Sequence, residues 1–391
     1  PPPPRLNCRR QRQMCIRDRP IPFHELAAPG VQKLRPYLPG KPVEELEREL
    51  GISNSIKLAS NENPLGASEK ALAAIQHCYR NINYYPDGSA YKLSEKLAAK
   101  YNIAPSCLTF GNGSNDVLEL IARAFLTPGH SAVYSQYAFA VYPIVVQATG
   151  AKANVAPAFD EAHETMPLGH DPDALIDSLD DKTRVVFIAN PNNPTGTWMN
   201  AKTVEAMLNR IPANVIVVLD LAYLEYMDDD LKPDIKHLLG TYENLIITCT
   251  FSKVYALAGL RIGYGISHPD IADLLNRVRQ PFNTNLIAQA AALAALDDED
   301  HIRQSIKLNN EGKAYMQHEL DKLGLACLPS MGNFLAVNMG QPAAPVYDAL
   351  LKKGVIVRPV ANYQMPDYLR ITVGTAEQNS RLIEALSGVM A

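Results

Sequence analysis

The clearest signal of the fold lies in residues 245–264, which read Leu-Ile-Ile-Thr-Cys-Thr-Phe-Ser-Lys-Val-Tyr-Ala-Leu-Ala-Gly-Leu-Arg-Ile-Gly-Tyr. The first six residues form a continuous apolar, β-rich run, which is typical of a strand covered by helices on both faces. Similar runs occur at 185–189 and 215–219, and a helical segment at 200–211 lies between them. Alternation of strands and helices predicts right-handed βαβ units. We therefore predict an α/β fold with a mostly parallel central sheet.

The pattern changes toward the C-terminus. A long helical region is predicted at 285–323, followed by short strands at 334–338, 355–358 and 369–373 that alternate with two helices. The sequence Thr375-Ala-Glu-Gln378 fits a capping box and predicts the start of the last helix. These features predict a second, smaller α+β domain. The expected organisation is a basic N-terminal segment of residues 1–19, an N-terminal arm of 20–57, a large domain of 58–290 and a small domain of 291–391.

Charge and cysteine content exclude several classes of protein. The 391 residues carry a formal net charge of −4, but residues 1–19 contain six arginines and one aspartate, so the rest carries −9. For the chain as a whole this balance favours neither a nucleic-acid partner nor a membrane surface, and a nucleic-acid-binding arm is an alternative for residues 1–19 alone. The basic N-terminal segment has no apolar core of a signal peptide, and we interpret it as non-native or disordered. The six dispersed cysteines form no metal or disulfide motif and favour a reducing, cytoplasmic location without a metal site.

Candidate catalytic residues follow the predicted strands, where ligands bind in open parallel sheets. Lys253 would be desolvated in such a crevice, which lowers an amine pKa as a Schiff-base lysine requires; the alternative is a surface lysine with its stem on apolar groups. Asp220 would need a cationic partner, such as a protonated pyridine nitrogen, or would serve as a helix cap or pair with Arg261. Tyr223 can donate a hydrogen bond into the same crevice or be an ordinary half-buried tyrosine.

A proline-rich loop follows the predicted strand at 185–189. It reads Asn190-Pro-Asn-Asn-Pro-Thr-Gly196, and its two prolines would fix the backbone so that Asn193 is aimed at a ligand. The Asn193–Pro194 bond is a candidate cis peptide. The alternative is a tight turn, which would not need three asparagines.

A glycine-containing loop precedes the helix predicted at 117–125. Gly111-Asn-Gly-Ser-Asn115 would offer helix N-terminal amides and a hydroxyl to an anion, unless Ser114 or Asn115 simply caps the helix. It is not a dinucleotide fingerprint, because Asp116 stands where the third glycine belongs. A nicotinamide-dependent dehydrogenase is therefore disfavoured, and it would leave Lys253 unused.

Two arginines lie in the predicted small domain. Arg358 ends one short strand and Arg370 lies within another. An arginine inside an apolar strand is costly unless it meets an anion or an internal carboxylate. Both residues are candidates for anion binding.

Together these motifs resemble the fold-type I, class II aminotransferases that depend on pyridoxal phosphate, from about Gly30 to the C-terminus. The resemblance rests on the Ser-Lys and Gly-Leu-Arg-x-Gly motifs within 252–263 and on the spacings from Asp220 to Lys253 and from Lys253 to Arg261. Three motifs are similar to the histidinol-phosphate branch: Leu58-Ala-Ser-Asn-Glu-Asn-Pro-Leu-Gly66, Tyr84-Tyr-Pro-Asp87 and Tyr368-Leu-Arg-Ile-Thr-Val-Gly-Thr375.

The resemblance implies a pyridoxal 5′-phosphate cofactor and assigns residues to it. Lys253 would form an aldimine with the cofactor and carry protons, and Asp220 would keep the ring nitrogen protonated. Asn193 and Tyr223 would bind the phenolic oxygen, and Tyr137 would stack on the ring. The expected phosphate ligands are Gly113, Ser114, Asn115, Ser252, Arg261 and, from the second subunit of a homodimer, Tyr85.

The resemblance also implies substrates. Histidinol phosphate and 2-oxoglutarate would exchange an amino group by ping-pong chemistry, with both anions held by Arg358 and Arg370. Tyr37 would close over the substrate, and Asn333 is a further substrate-binding candidate. The alternatives are an aromatic amino-acid aminotransferase or a phosphothreonine-type decarboxylase on the same fold. A non-catalytic binding module is a third possibility, which the intact set of Asp220, Lys253 and Arg261 disfavours.

Overall fold

The computed structural model describes residues 23–37 and 39–390, so the basic N-terminal segment lies outside the described residues. The strands are β1 (Ile56–Lys57), β2 (Leu108–Gly111), β3 (Ser131–Ser135), β4 (Lys152–Ala156), β5 (Thr183–Ala189), β6 (Ile216–Asp220), β7 (Leu245–Thr250), β8 (Gly263–Ser267), β9 (Phe334–Asn338), β10 (Val355–Ile356), β11 (Arg358–Pro359) and β12 (Tyr368–Thr372). The α-helices are α1 (Phe23–Leu26), α2 (Pro29–Gln32), α3 (Val43–Leu50), α4 (Glu69–Cys78), α5 (Tyr91–Tyr101), α6 (Ser114–Phe125), α7 (Val141–Ala148), α8 (Pro172–Asp177), α9 (Ala201–Leu208), α10 (Ile235–Thr241), α11 (Pro269–Val278), α12 (Leu286–Ala295), α13 (Glu299–Lys322), α14 (Ala343–Lys352) and α15 (Ala376–Met390).

Seven strands form the central sheet in the order β2-β8-β7-β6-β5-β3-β4. Within it β8 runs antiparallel to both of its neighbours, and the remaining pairs are parallel. This confirms the predicted mostly parallel sheet. Both faces are covered: Ile246 packs with helices α6, α7 and α11, whereas Leu245 and Ile247 pack with α5 and α12 on the other side. Burial on two faces explains why the strands are apolar at every position rather than at alternate positions.

Five short strands lie outside the central sheet. Strands β11, β12 and β9 form an antiparallel sheet, and β10 pairs in parallel with β1. Helices α13, α14 and α15 pack with these strands around an apolar cluster that includes Leu335, Leu369 and Leu382. The arm thus contributes β1 to this part of the molecule, while the predicted domain boundaries stay predictions.

The capping box is present at the start of α15. The Gln378 backbone N–H donates to Thr375 Oγ1 at 3.2 Å, and the Thr375 N–H donates to Gln378 Oε1 at 3.0 Å. Two N–H groups that lack helical partners are satisfied reciprocally, as the sequence motif predicts.

Two predicted elements are interrupted. The helical region at 285–323 is two helices, because Asp298 caps α13 by accepting from the N–H of His301. The strand at 355–358 is also two, because the chain leaves its pairing with β1 and turns at Val357 to pair with β12. The first interruption is a local helix cap within an acidic stretch, whereas the second depends on strand partners distant in sequence. Among the described residues, no helix combines the length and apolar character needed to cross a membrane.

Candidate active site

A cavity opens where β5, β6 and β7 end and the chain enters its loops. Ten of the predicted site residues line this cavity: Tyr37, Ser114, Asn115, Asn193, Asp220, Tyr223, Ser252, Lys253, Arg261 and Arg370. The carboxyl edge of the parallel sheet therefore gathers side chains from segments far apart in sequence, as the strand-end rule predicts.

Asp220 is the last residue of β6 and is 4% exposed. Its Oδ2 accepts a hydrogen bond from Tyr142 Oη at 3.0 Å, while its Oδ1 is buried with no hydrogen-bond partner among the described residues. Burial raises the pKa of this carboxyl to about 6. The unpartnered oxygen is an acceptor available to a hydrogen-bond donor from a ligand.

Lys253 follows β7 on a tight turn. Its Nζ donates to the backbone carbonyls of Ser60 at 3.2 Å and Asn61 at 3.5 Å, and lies 5.6 Å from the ring centroid of Tyr223. Desolvation, reinforced by the nearby charge of Arg370, lowers the pKa of the amine to about 7. In a large fraction of the molecules the Lys253 amine is therefore uncharged and nucleophilic near neutral pH.

An anion cradle forms where helix α6 begins. Gly113 is its N-cap, with φ of 86°, and a Cβ there would collide with the guanidinium of Arg261. Arg261 donates to Ser252 Oγ at 3.3 Å and to the carbonyl of Ala258 at 3.0 Å. Because Gly113 is the cap, Ser114 is available to line the cavity. Exposed N–H groups, a helix dipole and a cation together suit a phosphate.

The proline-rich loop directs one of its three asparagines into the cavity. Asn190 exchanges two hydrogen bonds with the Met199 backbone, and Asn192 donates to the carbonyl of Tyr137 and to Thr195 Oγ1. The predicted cis bond at Asn193–Pro194 is present, and Asn190–Pro191 is also cis. The side-chain amides of Asn190 and Asn192 thus stabilise the loop, and Asn193 lines the cavity.

Arg370 and Arg358 lie side by side on paired strands β12 and β11. Arg370 is 4% exposed, donates to Asn193 Oδ1 at 2.6 Å and to the carbonyl of Ala59 at 2.5 Å, and has no hydrogen-bond partner at Nε among the described residues. The Arg358 guanidinium lies 5.4 Å from the ring centroid of Tyr37, which lines the cavity. The free Nε of the buried Arg370 therefore favours a negative ligand, and Arg358 lies on the neighbouring strand.

A sequence profile described as "Aminotransferase class I and II" matches residues 53–386. The chain belongs to the class I and II aminotransferases. It is 54% identical over 371 residues to histidinol-phosphate aminotransferase 2 of Pseudomonas fluorescens, covering 94% of this chain and 98% of that one. It is 53% identical to histidinol-phosphate aminotransferase 2 of Pseudomonas aeruginosa, covering 94% and 99%.

A solved structure is similar over nearly the whole chain. The crystal structure of histidinol-phosphate aminotransferase from Sinorhizobium meliloti in complex with pyridoxal-5′-phosphate matches with a TM-score of 0.84 and 29% identity. The match covers 93% of this chain and 97% of that one. The family and fold type predicted from the sequence are confirmed.

Tyr137 does not line the cavity of this aminotransferase. It packs instead against the apolar cluster around Leu168, and Phe139, two residues later, presents its ring to the cavity. The stacking role of Tyr137 stays a prediction, and Phe139 is a second candidate because it lines the cavity. The packing of the short turn after β3 decides which ring reaches the cavity, and the sequence of the turn does not specify it.

Asn333, a predicted substrate-binding residue, is outside the set of residues that line the cavity. It is 2% exposed, and its Nδ2 donates to the carbonyls of Asn61 at 3.0 Å and Glu62 at 3.4 Å. Asn333 therefore supports the loop that contributes Asn61 to the cavity, and its role in substrate binding stays a prediction. Tyr85 is 81% exposed and stacks on Phe282 with ring centroids 4.6 Å apart, and it does not line the cavity.

The structure adds residues that were not predicted for the site. Phe139 and Asn61 line the cavity of the aminotransferase. Tyr142 lies outside the lining and donates a hydrogen bond to Asp220 Oδ2. Asn61 belongs to the motif at 58–66, so a signal for it existed, whereas nothing in the sequence pairs Tyr142 with Asp220. Within the described part of the chain, no group of three or more His, Cys, Asp or Glu residues could hold a metal ion.

Proposed function

We propose that this aminotransferase transfers the amino group of L-histidinol phosphate to 2-oxoglutarate, giving imidazole acetol phosphate and glutamate in histidine biosynthesis. Pyridoxal 5′-phosphate is the proposed cofactor. The names of the relatives and the ligand of the Sinorhizobium structure support this assignment. The observation that carries it is the unpartnered Oδ1 of Asp220 in one cavity with the low-pKa amine of Lys253.

The residues of the cavity fit that cofactor. Asp220 Oδ1 offers the acceptor that a protonated ring nitrogen requires, and ionic pairing there would offset the burial of the carboxylate. The cradle of Gly113, Ser114, Ser252 and Arg261 fits its phosphate. The ring of Phe139 supplies an apolar wall.

Proton transfer is assigned to Lys253. When bound, pyridoxal phosphate supplies an electron sink for the substrate carbon that loses its proton. Neutral Nζ of Lys253 is the base for the Cα proton, and the ammonium so formed is the acid for the return transfer. Because burial holds the pKa of this amine near 7, both protonation states are accessible at neutral pH.

Substrate binding is assigned to the paired arginines. The phosphate of histidinol phosphate and a carboxylate of 2-oxoglutarate both present pairs of anionic oxygens that a guanidinium can grip with two hydrogen bonds. Arg370 already donates to Asn193 and Ala59, and its Nε makes no hydrogen bond to the described residues. Tyr37 from the arm lines the same cavity and is proposed to close over the substrate.

A homodimer and a cytoplasmic location complete the proposal. Tyr85 at 81%, Tyr84 at 69% and Ile82 at 69% exposure form an apolar patch, which favours contact with a second copy of the chain. The partner subunit's Tyr85 would then reach the cofactor phosphate. Cys78, Cys107, Cys249 and Cys327 are all unpaired, which supports a reducing compartment.

Side-by-side kcat/KM values test the substrate. With 2-oxoglutarate as acceptor, L-histidinol phosphate is expected to exceed phenylalanine by at least about tenfold, since its phosphate can use both arginines and each charged hydrogen bond contributes about 1.5–3 kcal/mol. A preference for phenylalanine would make the chain an aromatic aminotransferase. Release of carbon dioxide from O-phosphothreonine without amino transfer would make it a decarboxylase.

A further inference from the structure

Asn61 joins the parts of the cavity that would carry the chemistry. It is 1% exposed, lies in the left-handed backbone region with φ of 55°, and lines the cavity between Lys253 and Tyr223. Its carbonyl accepts from Lys253 Nζ and from Asn333 Nδ2, and its Nδ2 donates to Tyr223 Oη at 2.8 Å. None of the roles assigned above involves this side chain.

The contacts with Thr372 fix the direction of these hydrogen bonds. The backbone N–H of Asn61 donates to Thr372 Oγ1 at 2.9 Å, so the hydroxyl of Thr372 turns its own hydrogen toward Asn61 Oδ1, 3.2 Å away. The oxygen end of the amide is therefore occupied by a donor. Only the Nδ2 end faces Tyr223, and an amide nitrogen can only donate.

The hydroxyl of Tyr223 must therefore donate its hydrogen bond to an acceptor other than Asn61. Because Oη accepts from Asn61, the remaining hydrogen of this hydroxyl is left to donate to another acceptor, and Tyr223 lines the cavity. Burial raises the pKa of Tyr223 to about 12, so the hydroxyl keeps that proton at neutral pH. Asn193 is likewise left as a hydrogen-bond donor. Its Oδ1 accepts from Arg370, so only its Nδ2 is available to a ligand in the cavity.

We propose that Asn61 is a positioning residue that acts through Tyr223, directing the hydroxyl proton into the cavity toward the phenolic oxygen of the cofactor. The inference rests on the proposed cofactor but not on the identity of the amino donor. Thr372 lies two residues from Arg370 on β12, so the direction of this proton depends on that strand being seated against the large sheet. The charged or titratable groups that face Lys253 and Tyr223 are Arg370, Arg261, Asp220, Glu62 and Tyr363.

A double-mutant cycle tests the proposal. Asn61→Gly removes the amide at a backbone conformation that glycine adopts without strain, and Tyr223→Phe removes the hydroxyl. The readout is the pH midpoint of the absorption of the lysine-linked cofactor in the two variants, the double variant and the unsubstituted enzyme. A donor to the phenolic oxygen draws charge from it and weakens its hold on the neighbouring proton, so loss of the donor moves the midpoint to higher pH.

Asn61→Gly is expected to raise the midpoint by about half to one pH unit, and Tyr223→Phe by about one or more. Adding Asn61→Gly to Tyr223→Phe is expected to change the midpoint no further, because the hydroxyl that Asn61 orients is gone. Equal shifts in both backgrounds, or no shift from Asn61→Gly alone, would overturn the proposal. A purely structural role would lower Tm in both backgrounds without this dependence on Tyr223.

Thr372→Val supplies a second variant if Asn61→Gly folds poorly. It removes the hydroxyl that holds the Asn61 amide, and a rise of about half a pH unit that Tyr223→Phe abolishes is expected. A rise that persists with Phe at position 223 would count against the proposal. If the unsubstituted enzyme shows no cofactor absorption, the proposed function fails; if it titrates and the cycle is additive, only the role of Asn61 fails.

Discussion

At the scale of single residues, burial moves two pKa values toward each other in one cavity. The pKa of Asp220 rises from 3.8 to about 6, and that of Lys253 falls from 10.5 to about 7. Each group carries a charge that the cavity solvates poorly. A protonated ring nitrogen at Asp220 Oδ1 would relieve that cost for the carboxylate, so ligand binding and stability are linked through this residue.

The pH dependence of stability follows from Asp220. Its pKa is higher in the folded chain than in the unfolded one, so the cofactor-free protein binds the extra proton and loses stability as pH rises from about 4 to 6. The loss from this group amounts to about 3 kcal/mol by pH 7. Asp220→Asn is expected to abolish it, which urea unfolding of both cofactor-free proteins between pH 4 and 7 will measure. A difference between the two proteins that stays constant with pH would contradict the assignment.

How far the sequence predicts the site differs from residue to residue. Lys253 and Asp220 were predictable because each lies at the end of a strand, and parallel strands end at one edge. Tyr137 and Phe139 lie in one turn, and only the packing of that turn against Leu168 determines which ring reaches the cavity. The hydrogen bonds of Asn333 were not predictable, because its amide donates to two backbone carbonyls of a loop near the other end of the chain.

At the scale of elements, the start of helix α6 depends on the absence of a side chain at Gly113. Its left-handed backbone and the nearby guanidinium of Arg261 leave no room for a Cβ. The helix thereby brings its N-terminal amides and Arg261 together around one anion site.

Gly113→Ala is expected to lower cofactor affinity at least about tenfold, because the new methyl group would displace Arg261 from the phosphate site and one charged hydrogen bond contributes about 1.5–3 kcal/mol. Gly129→Ala is the matched control: its φ is 102°, yet nothing lies within 4 Å of the added Cβ. Both substitutions place a Cβ at a positive φ and carry a backbone strain of about 1–3 kcal/mol. Equal cofactor dissociation constants for the two variants would show that Gly113 matters only for its backbone.

Element boundaries were predictable only where the signal is local. The capping box located the start of α15 correctly, since both hydrogen bonds form between residues three apart. The split of the strand at 355–358 was not predictable, because it arises from pairing with β1 on one side and β12 on the other. Tertiary partners, which no local pattern specifies, fix such boundaries.

At the scale of the whole molecule, binding of anions relies on local cations. The chain carries a net negative charge, yet Arg261 and Arg370 line one cavity, from the turn before β8 and from β12. Arg358 on β11 lies beside Tyr37, which lines the same cavity. Arg370 crosses from the small sheet to hydrogen-bond with the proline-rich loop of the large one. The site therefore exists only when both parts of the molecule are assembled.

Subunit mixing tests whether Tyr85 serves the partner's cavity. In the proposed homodimer, Lys253→Ala and Tyr85→Ala are each expected to leave little activity. In a mixed dimer, one site would carry both changes and the other neither, so a randomly reassorted mixture is expected to regain about one quarter of the activity. Activity that stays at the level of the parents after confirmed subunit exchange would place Tyr85 and Lys253 in the same subunit's site or outside it.

Single-turnover product analysis tests most directly whether Lys253 and Asp220 form a site that transfers an amino group in two stages. Cofactor-loaded enzyme is mixed with L-histidinol phosphate alone, and imidazole acetol phosphate is quantified per subunit. The expected result is one equivalent from the unsubstituted enzyme without 2-oxoglutarate, and none on the same timescale from Lys253→Ala that retains the cofactor. Product formation that requires 2-oxoglutarate, or that proceeds equally fast in Lys253→Ala, would contradict the account.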